Sequence, residues 1–192
     1  MQDGLLSYSG LQPKEQITTV KRDTSNKRIL GIDPCPRGFG FAVFDMPEFL
    51  CDWGVARVFS KDAEAYVVRV TAMITRYSPD VVAVPDPADF KGKAILRKLV
   101  KALTIRSSRR PIVRIVSKVC VQNTFPPENR TKYHRAVLIS RALPELEALL
   151  PRPRKIWESE DARMNIFDAL SLILATPEGC VPLPISKDSY SR

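Results

Sequence analysis

A stretch near the start of the chain, RILGIDPCPRGFGFAVFD at residues 28–45, most constrains the fold. An apolar run over Ile29–Ile32, typical of a β-strand, leads directly into Asp33, and a second β-type run covers Phe39–Phe44. Asp-Pro is a common turn opener, so the carboxylate could do no more than start the turn between two strands. Whether Asp33 also has a chemical role depends on the rest of the chain.

The pattern after Asp33 predicts a mixed sheet. Three strands in quick succession, joined by short connections with Gly and Pro, favour antiparallel hairpins. Asp80–Val84 is a short apolar run after a helical pattern, which is typical of a parallel strand reached by a crossover helix. The predicted order is β-β-β-α-β-α-β-α-α, with strands over 28–34, 39–46, 50–58, 80–84 and 110–117 and helices over 60–77, 91–105, 130–143 and 158–176.

This order predicts an α/β fold of the ribonuclease H-like type, in which three antiparallel strands and then parallel strands form one mixed sheet flanked by helices. The length of 192 residues suits one domain. We place that domain at residues 28–176, after a flexible leader over 1–27 and before a loose tail over 177–192. Other α/β domains share the same order, so the function has to be inferred from the site.

Acidic side chains from separate segments are expected to meet at one end of this sheet. Asp33 ends the first strand, and Asp86 and Asp89 follow the fourth strand, whose end lies beside the first in this topology. A cluster of carboxylates repels itself unless a cation lies within it, and Mg²⁺ takes oxygen ligands of this kind. Two such ions can activate a water and stabilise the leaving oxygen of a phosphodiester.

The last predicted helix supplies the third acidic segment. Asp161 and Asp168 are seven residues apart, about two helical turns, and are therefore expected to share a face with Asn165 between them. Asp168 stands among apolar residues, which favours a functional role for it. Asp161 also suits an ordinary role as a helix N-cap or first-turn residue.

The charge distribution favours nucleic acid as the partner. The net charge is +9, and the 38 residues from Phe90 to Pro127 contain ten Lys or Arg and no Asp or Glu. A run of like charge repels itself without an anionic partner, although a merely solvated basic face is the simpler alternative. The cations expected to contact phosphates are Lys91, Lys93, Arg97, Lys98, Lys101, Arg106, Arg109 and Arg110.

Other features narrow the class of protein. Four cysteines are far apart without a CxxC pair, and the chain has one histidine, so neither a zinc site nor a disulfide framework is indicated. No window reaches the ~18 consecutive apolar residues of a membrane span, and the N-terminal residues lack the pattern of a secretory signal. We expect a cytoplasmic protein with reduced thiols. His134 is expected on a helix surface, and Trp53 and Trp157 are expected to be packing residues.

Three motifs resemble segments of the RuvC-type Holliday-junction resolvases and their ribonuclease H-like relatives. ILGIDPCPRGFGFAVFD resembles their first two strands, with Gly40 seven residues after Asp33. NIFDALSLILA resembles their last helix, and NRTKYHRAV resembles the segment with a catalytic Lys or His, where Lys132 matches best. The resemblance covers about residues 28–176. It implies a metal-dependent endonuclease that acts on structured or branched nucleic acid in recombination or repair, with DNA favoured over RNA, and a homodimer.

The same resemblance implies the site residues and shows where this chain departs from the family. Asp33, Asp86 and Asp168 are the expected catalytic ligands of Mg²⁺ or Mn²⁺, with Asn165 as a further, neutral ligand. Lys132 is the expected stabiliser of the transition-state phosphate. Cys35, Pro85 and Asn165 stand where the family has Gly, Glu and Asp.

Two other functions remain open on the sequence. A catalytically degenerate relative would bind nucleic acid or a protein partner without cutting, because two of the four acidic positions of the family are altered here. An actin-like sugar kinase or ATPase also begins with Gly-Ile-Asp, but the chain is short for the two lobes of that fold.

Overall fold

Five strands form a single mixed sheet in the computed structural model, which describes residues 27–35, 38–47, 49–59, 62–89, 94–106, 111–129 and 131–180. The strands are β1 (Arg28–Cys35), β2 (Gly38–Asp45), β3 (Phe49–Arg57), β4 (Val81–Pro85) and β5 (Ile112–Val116). They lie in the order β3-β2-β1-β4-β5. β2 is antiparallel to β1 and β3, and β4 is parallel to β1 and β5. The predicted ribonuclease H-like sheet is confirmed.

Helices cover both faces of this sheet. They are α1 (Ala63–Tyr77), α2 (Ala94–Arg106), α3 (Lys118–Thr124), α4 (Lys132–Ala142) and α5 (Met164–Leu174), with 3₁₀ segments at Pro87–Asp89, Pro127–Asn129 and Pro144–Leu149. The sequence did not predict α3, because this helix is short and Val121 is its buried residue. The side chain of Ser117 begins α3 by accepting a hydrogen bond from the amide of Cys120 at 3.2 Å.

Alternation along the strands assigns each side chain to one of two layers. In β1, Ile29 packs in the layer of α3, α4 and α5, whereas Leu30 and Ile32 pack in the layer of α1 and α2. Because successive side chains point to opposite faces, Gly31 and Asp33 lie on the α5 face with Ile29. The strand therefore directs the Asp33 carboxylate to the face that α5 covers.

Two glycines let α5 approach the sheet closely. A Cβ on Gly31 would overlap the backbone of Ala169, and a Cβ on Gly40 would overlap the backbone of Asn165. All eleven residues of α5 are buried. Gly40 pairs directly with Asp33 in the β1–β2 register, so the close approach brings the start of α5 beside Asp33.

The opposite layer packs by ordinary side-chain interdigitation. The inner side of α2 is formed by Leu96, Leu99 and Leu103, which are all buried against α1 and the sheet. The side chains of Arg97, Lys98 and Lys101 lie on its exposed side. This helix is therefore amphipathic.

The described part of the chain continues past α5 into the segment predicted as a loose tail. The Glu178 side chain is 5% exposed and accepts hydrogen bonds from the guanidinium of Arg114 on β5. The Gly179 amide donates to the Thr176 hydroxyl at 3.0 Å. Residues 1–26 of the predicted leader and residues 181–192 of the predicted tail lie outside the described residues. Among the helices described, none combines the length and apolar character needed to span a membrane.

Candidate active site

A cleft of about 470 Å³ opens where β1 and β4 end, between α3, the start of α4 and the first half of α5. Polar and charged side chains from all of these segments line it. Among them are Asp33, Cys35, Asp89, Lys118, Lys132, Arg135, Glu160, Asn165 and Asp168. Four of these side chains are carboxylates and three are cations, so charged groups of both signs are concentrated in the cleft.

Asp33 and Asp168 are the two buried carboxylates of this cleft, each 8% exposed. The Lys132 ammonium lies 2.7 Å from an oxygen of Asp168, and Arg135 Nη2 lies 3.5 Å from the other oxygen. Burial lowers the pKa of Lys132, but the Asp168 carboxylate, with smaller contributions from Glu160 and Asp33, holds that pKa above its ordinary value. Lys132 is therefore a cation at neutral pH, and it lies within the electrostatic influence of both buried carboxylates.

The start of α4 positions Lys132. The Thr131 side chain caps this helix by accepting a hydrogen bond from the His134 amide at 3.2 Å, so Lys132 is the first helical residue. Arg135 is three residues further on the same face and is buried, with its guanidinium 5.8 Å from the centre of the Phe125 ring. Sequence reasoning missed Arg135, although its spacing from Lys132 was a usable signal.

Asp86 and Asp89 differ in their positions at the end of β4, and of the two only Asp89 is among the residues that line the cleft. The Asp86 amide donates to Val116 on β5 at 2.9 Å, so the chain still follows the sheet at this residue. The Asp86 side chain accepts from the Ala88 amide at 2.8 Å and starts the 3₁₀ turn. Pro85 lines the cleft at the preceding position, and Asp89 lines it from the end of the turn, where its carboxylate accepts from the Lys118 amide.

The residues before α5 also differ from the prediction. The expectation that Asp161 shares a helical face with Asp168 is wrong, because α5 begins at Met164. Asp161 instead forms an ion pair of 2.7 Å with Arg163 and accepts from the Arg163 amide. Asn165 is 8% exposed and lines the cleft, and its amide nitrogen donates to Ala162 at 3.0 Å.

The donor set can be compared with the needs of Mg²⁺. Among the residues that the structure describes, no group of three or more His, Cys, Asp or Glu side chains is placed to hold one metal ion. Mg²⁺ is commonly bound by one or two carboxylates together with waters and substrate phosphates. Asp33, Asp168 and Asn165 line one cleft, so the residues present offer two carboxylates and one amide group for such a partial shell.

The predicted phosphate-contacting residues that the structure describes lie on α2, away from the cleft. Arg97, Lys98 and Lys101 are exposed on α2, in the layer opposite to α5, and Arg106 ends that helix. The remaining four predicted residues, Lys91, Lys93, Arg109 and Arg110, lie outside the described residues. The cations of the cleft itself are Lys118, Lys132 and Arg135.

Two tryptophans and one histidine were expected to have ordinary structural roles. His134 is exposed on α4, as predicted, and Trp53 packs partly buried against the core beside α5. The expectation that Trp157 is a packing residue is wrong, because its side chain is 80% exposed.

Sheet order, strand directions and flanking helices together define a ribonuclease H-like α/β protein. More particularly, the fold is that of RuvC. The structure of Thermus thermophilus RuvC in complex with a Holliday junction substrate matches with a TM-score of 0.53 at 18% identity, covering 78% of this chain and 91% of that one. A second T. thermophilus RuvC structure matches with a TM-score of 0.52 at 18% identity, covering 77% and 92%.

Comparisons of sequence add no relatives to these structures. No family model matches the chain, and no curated protein matches it. The likeness to RuvC at 18% identity establishes the fold, while the activity has to be argued from the residues of this chain.

Proposed function

We propose that this protein is an endonuclease that binds structured or branched DNA and hydrolyses a phosphodiester bond at the cleft of Asp33 and Asp168. The observation that carries the proposal is the pair of buried carboxylates with the Lys132 ammonium, at the end of a strand in a RuvC-like fold. Buried carboxylates are costly unless a cation accompanies them, so their placement in one open cleft favours a functional role.

The partner is proposed from charge and from the related structure. The net charge of +9 favours a polyanion, and the T. thermophilus RuvC of similar fold is in complex with a Holliday junction substrate. Lys118 and Lys132 place positive charge in the cleft, where the phosphate to be cut would lie. A homodimer is part of the proposal, and sedimentation of the DNA-bound protein tests it.

The residues of the cleft have separate roles in this proposal. Asp33, Asp168 and Asn165 would hold Mg²⁺ or Mn²⁺, which when bound supplies activation of water and stabilisation of the leaving oxygen. Arg135 holds the Asp168 carboxylate in place from the buried side. Lys132, whose side chain is 48% exposed, can offer its ammonium to a phosphate oxygen.

The deciding experiment is cleavage of a four-way junction, a flap and a single strand in Mg²⁺ and in Mn²⁺. We expect Asp33→Asn and Asp168→Asn to abolish cleavage and to leave DNA binding intact or tighter, because each removes a carboxylate that repels phosphate. Asp86→Asn is the matched control, since the Asp86 side chain serves the 3₁₀ turn. Loss of cleavage in Asp86→Asn would show instead that Asp86 is a metal ligand, as the sequence predicts.

The altered acidic positions allow a test by gain of activity. Asn165→Asp adds a carboxylate at a residue that already lines the cleft, and Pro85→Glu adds one at the end of β4 on the same face. We expect either variant to bind Mn²⁺ more tightly than the wild type in isothermal titration. Unchanged metal affinity in both variants would show that these positions do not face the metal.

A catalytically degenerate binder is the second candidate. It is favoured by the Asp168 carboxylate, whose charge is already balanced by Lys132 and Arg135. This candidate predicts binding of branched DNA with no cleavage by wild type or by Asp33→Asn. Equal cleavage by both proteins would instead indicate a contaminating nuclease.

A further inference from the structure

Residues 151–157, PRPRKIW, form a basic and aromatic segment between the last 3₁₀ segment and α5, and all of them except Pro151 are exposed. Three of these seven residues are cations and none is acidic. Ile156 is 92% exposed and Trp157 is 80% exposed. Two adjacent large apolar side chains in water are costly for a folded monomer, which suggests a contact surface.

This segment borders a second groove of about 700 Å³ that continues from the proposed active site. Arg152 and Arg154 line the groove on one side, and the start of α4 lines it on the other. Thr131, Lys132 and Glu160 line both this groove and the cleft of Asp33 and Asp168. A strand that leaves the cleft past Lys132 would therefore run along residues 151–157.

The acidic residues of the groove do not cancel the charge of the segment. Three acids line it, and each is paired with a cation: Glu158 with Arg152 at 3.4 Å, Glu160 with Lys132 at 3.2 Å, and Asp161 with Arg163 at 2.7 Å. Arg154 lines the groove and Lys155 lies next to it in the chain, and neither belongs to these pairs. The segment thus adds positive charge beside the groove.

Local contacts present the indole ring of Trp157 to solvent. Glu158 accepts a hydrogen bond from the Lys155 amide at 3.2 Å, which closes a turn around Ile156 and Trp157. The Lys155 ammonium lies 5.7 Å from the centre of the Trp157 ring. An exposed aromatic ring beside cations is the arrangement on which proteins stack unpaired bases.

We propose that residues 151–157 form a second nucleic-acid contact, in which Trp157 stacks on an unpaired base and Arg154 and Lys155 contact the flanking phosphates. The contact selects substrates that have unpaired bases next to the cleft, and it rests on the proposed nucleic-acid-binding function. Protein-binding surfaces are typically depleted of Lys and have an apolar centre. A segment with three cations and no acid therefore favours nucleic acid over a protein partner.

The test measures binding of the full chain to a blunt duplex and to the same duplex with a single-stranded dT tail, by fluorescence anisotropy. Stacking of one base is worth about 1–3 kcal/mol, so Trp157→Ala should weaken binding of the tailed duplex roughly 5- to 150-fold. Binding of the blunt duplex should change less than about twofold, within the range expected when no base is stacked on the ring. Trp157→Phe keeps an aromatic face and should retain most of the affinity for the tail.

Phe59→Ala is the matched control, because Phe59 is also an exposed aromatic residue, 96% exposed, but follows β3 and lies outside the basic segment. Equal affinities of Trp157→Ala and wild type for the tailed duplex would overturn the stacking contact while leaving the proposed function intact. An equal loss on both duplexes would overturn it as well, since stacking on unpaired bases would not be its cause. Absence of binding by the wild type to any of these DNAs would refute the proposed function itself, and this contact with it.

Discussion

The two faces of the sheet are packed by different means. On one face, α5 is buried over its whole length and lies against glycines of β1 and β2. On the other face, α2 buries a row of leucines and exposes a row of cations. The close contacts on the first face fix the positions of the polar side chains that lie there. The second face tolerates substitutions on the outer side of α2, because only the inner side of this helix is constrained by packing.

The difference explains where the candidate chemistry lies. A metal or a scissile phosphate needs side chains held within a fraction of an ångström, and such precision comes from rigid elements in close contact. Asp33 and Asp168 lie on the glycine-packed face, where backbone approaches backbone. The basic side chains of α2 need only to be near a polyanion, since phosphate attraction acts without fixed geometry.

The largest expected effect is on the glycine-packed face. In Gly40→Ala the new methyl group would overlap the backbone of Asn165, which cannot rotate away. Overpacking of this kind typically costs about 1–3 kcal/mol, and we expect about 3 kcal/mol here because the neighbour is backbone. Urea unfolding followed by circular dichroism measures the loss.

Gly54→Ala is the control for that substitution. A Cβ on Gly54 would meet the Phe41 ring at 3.2 Å, a side-chain contact that a small shift relieves. We expect Gly54→Ala to lose less than about 1 kcal/mol. Equal losses in the two variants would show that α5 is not packed more tightly than the rest of the sheet.

The next largest loss of stability is expected when the ion pair between Lys132 and Asp168 is broken. Lys132→Met removes the closest cation from Asp168, and we expect a loss of about 1–2 kcal/mol at pH 7, less than for a fully buried pair because Lys132 is half exposed. Lys132→Met alone leaves the Asp168 carboxylate without its closest cation, and adding Asp168→Asn removes that carboxylate charge. The double variant should therefore recover about 1 kcal/mol relative to additivity, and strict additivity in a double-mutant cycle would contradict the ion pair.

The sequence predicted the parts of this face that depend on strand and helix periodicity. Asp33 and Asp168 lie in one cleft as expected from the strand end and the helix pattern, whereas Lys132 was expected there from the resemblance of NRTKYHRAV to the resolvases. The sequence could not show that Asp86 stays aligned with β5 through its amide, which is a long-range hydrogen bond. It also could not place Trp157, since an aromatic residue has the same local pattern whether it is buried or exposed.

A smaller loss of stability is expected when the ion pair between Arg114 and Glu178 is removed. This pair joins the segment after α5 to the edge strand β5. The hydrogen bonds from Arg114 lower the pKa of Glu178, so the ionised carboxylate stabilises the folded state. A lowered pKa adds stability that is present above the ordinary Glu value of about 4.3 and is lost as pH falls through the folded-state value. We expect Glu178→Gln to cost about 1 kcal/mol at pH 7, since Arg114 is partly exposed.

The pH dependence provides the check on that prediction. Unfolding midpoints of wild type and Glu178→Gln, measured between pH 7 and pH 3, should converge as the pH falls. A difference that stays constant over this range would mean that the substitution acts through packing and not through the carboxylate charge.

The smallest effect on stability is expected on the α2 face. Substitutions there are expected to change DNA binding but not the free energy of unfolding. Lys98 and Lys101 are exposed, and surface substitutions of this kind usually change stability by less than about 0.5 kcal/mol. If both residues contact phosphates, Lys98→Ala with Lys101→Ala should weaken DNA binding about equally for all sequences. The slope of log K against log salt should become less steep by about 2 on duplex DNA, since each phosphate that a lysine neutralises accounts for roughly 0.9. Asp62 and Glu64, at the start of α1, line the same surface pocket as these lysines. An unchanged salt slope would mean that the two lysines interact with these acidic residues and do not contact DNA phosphates.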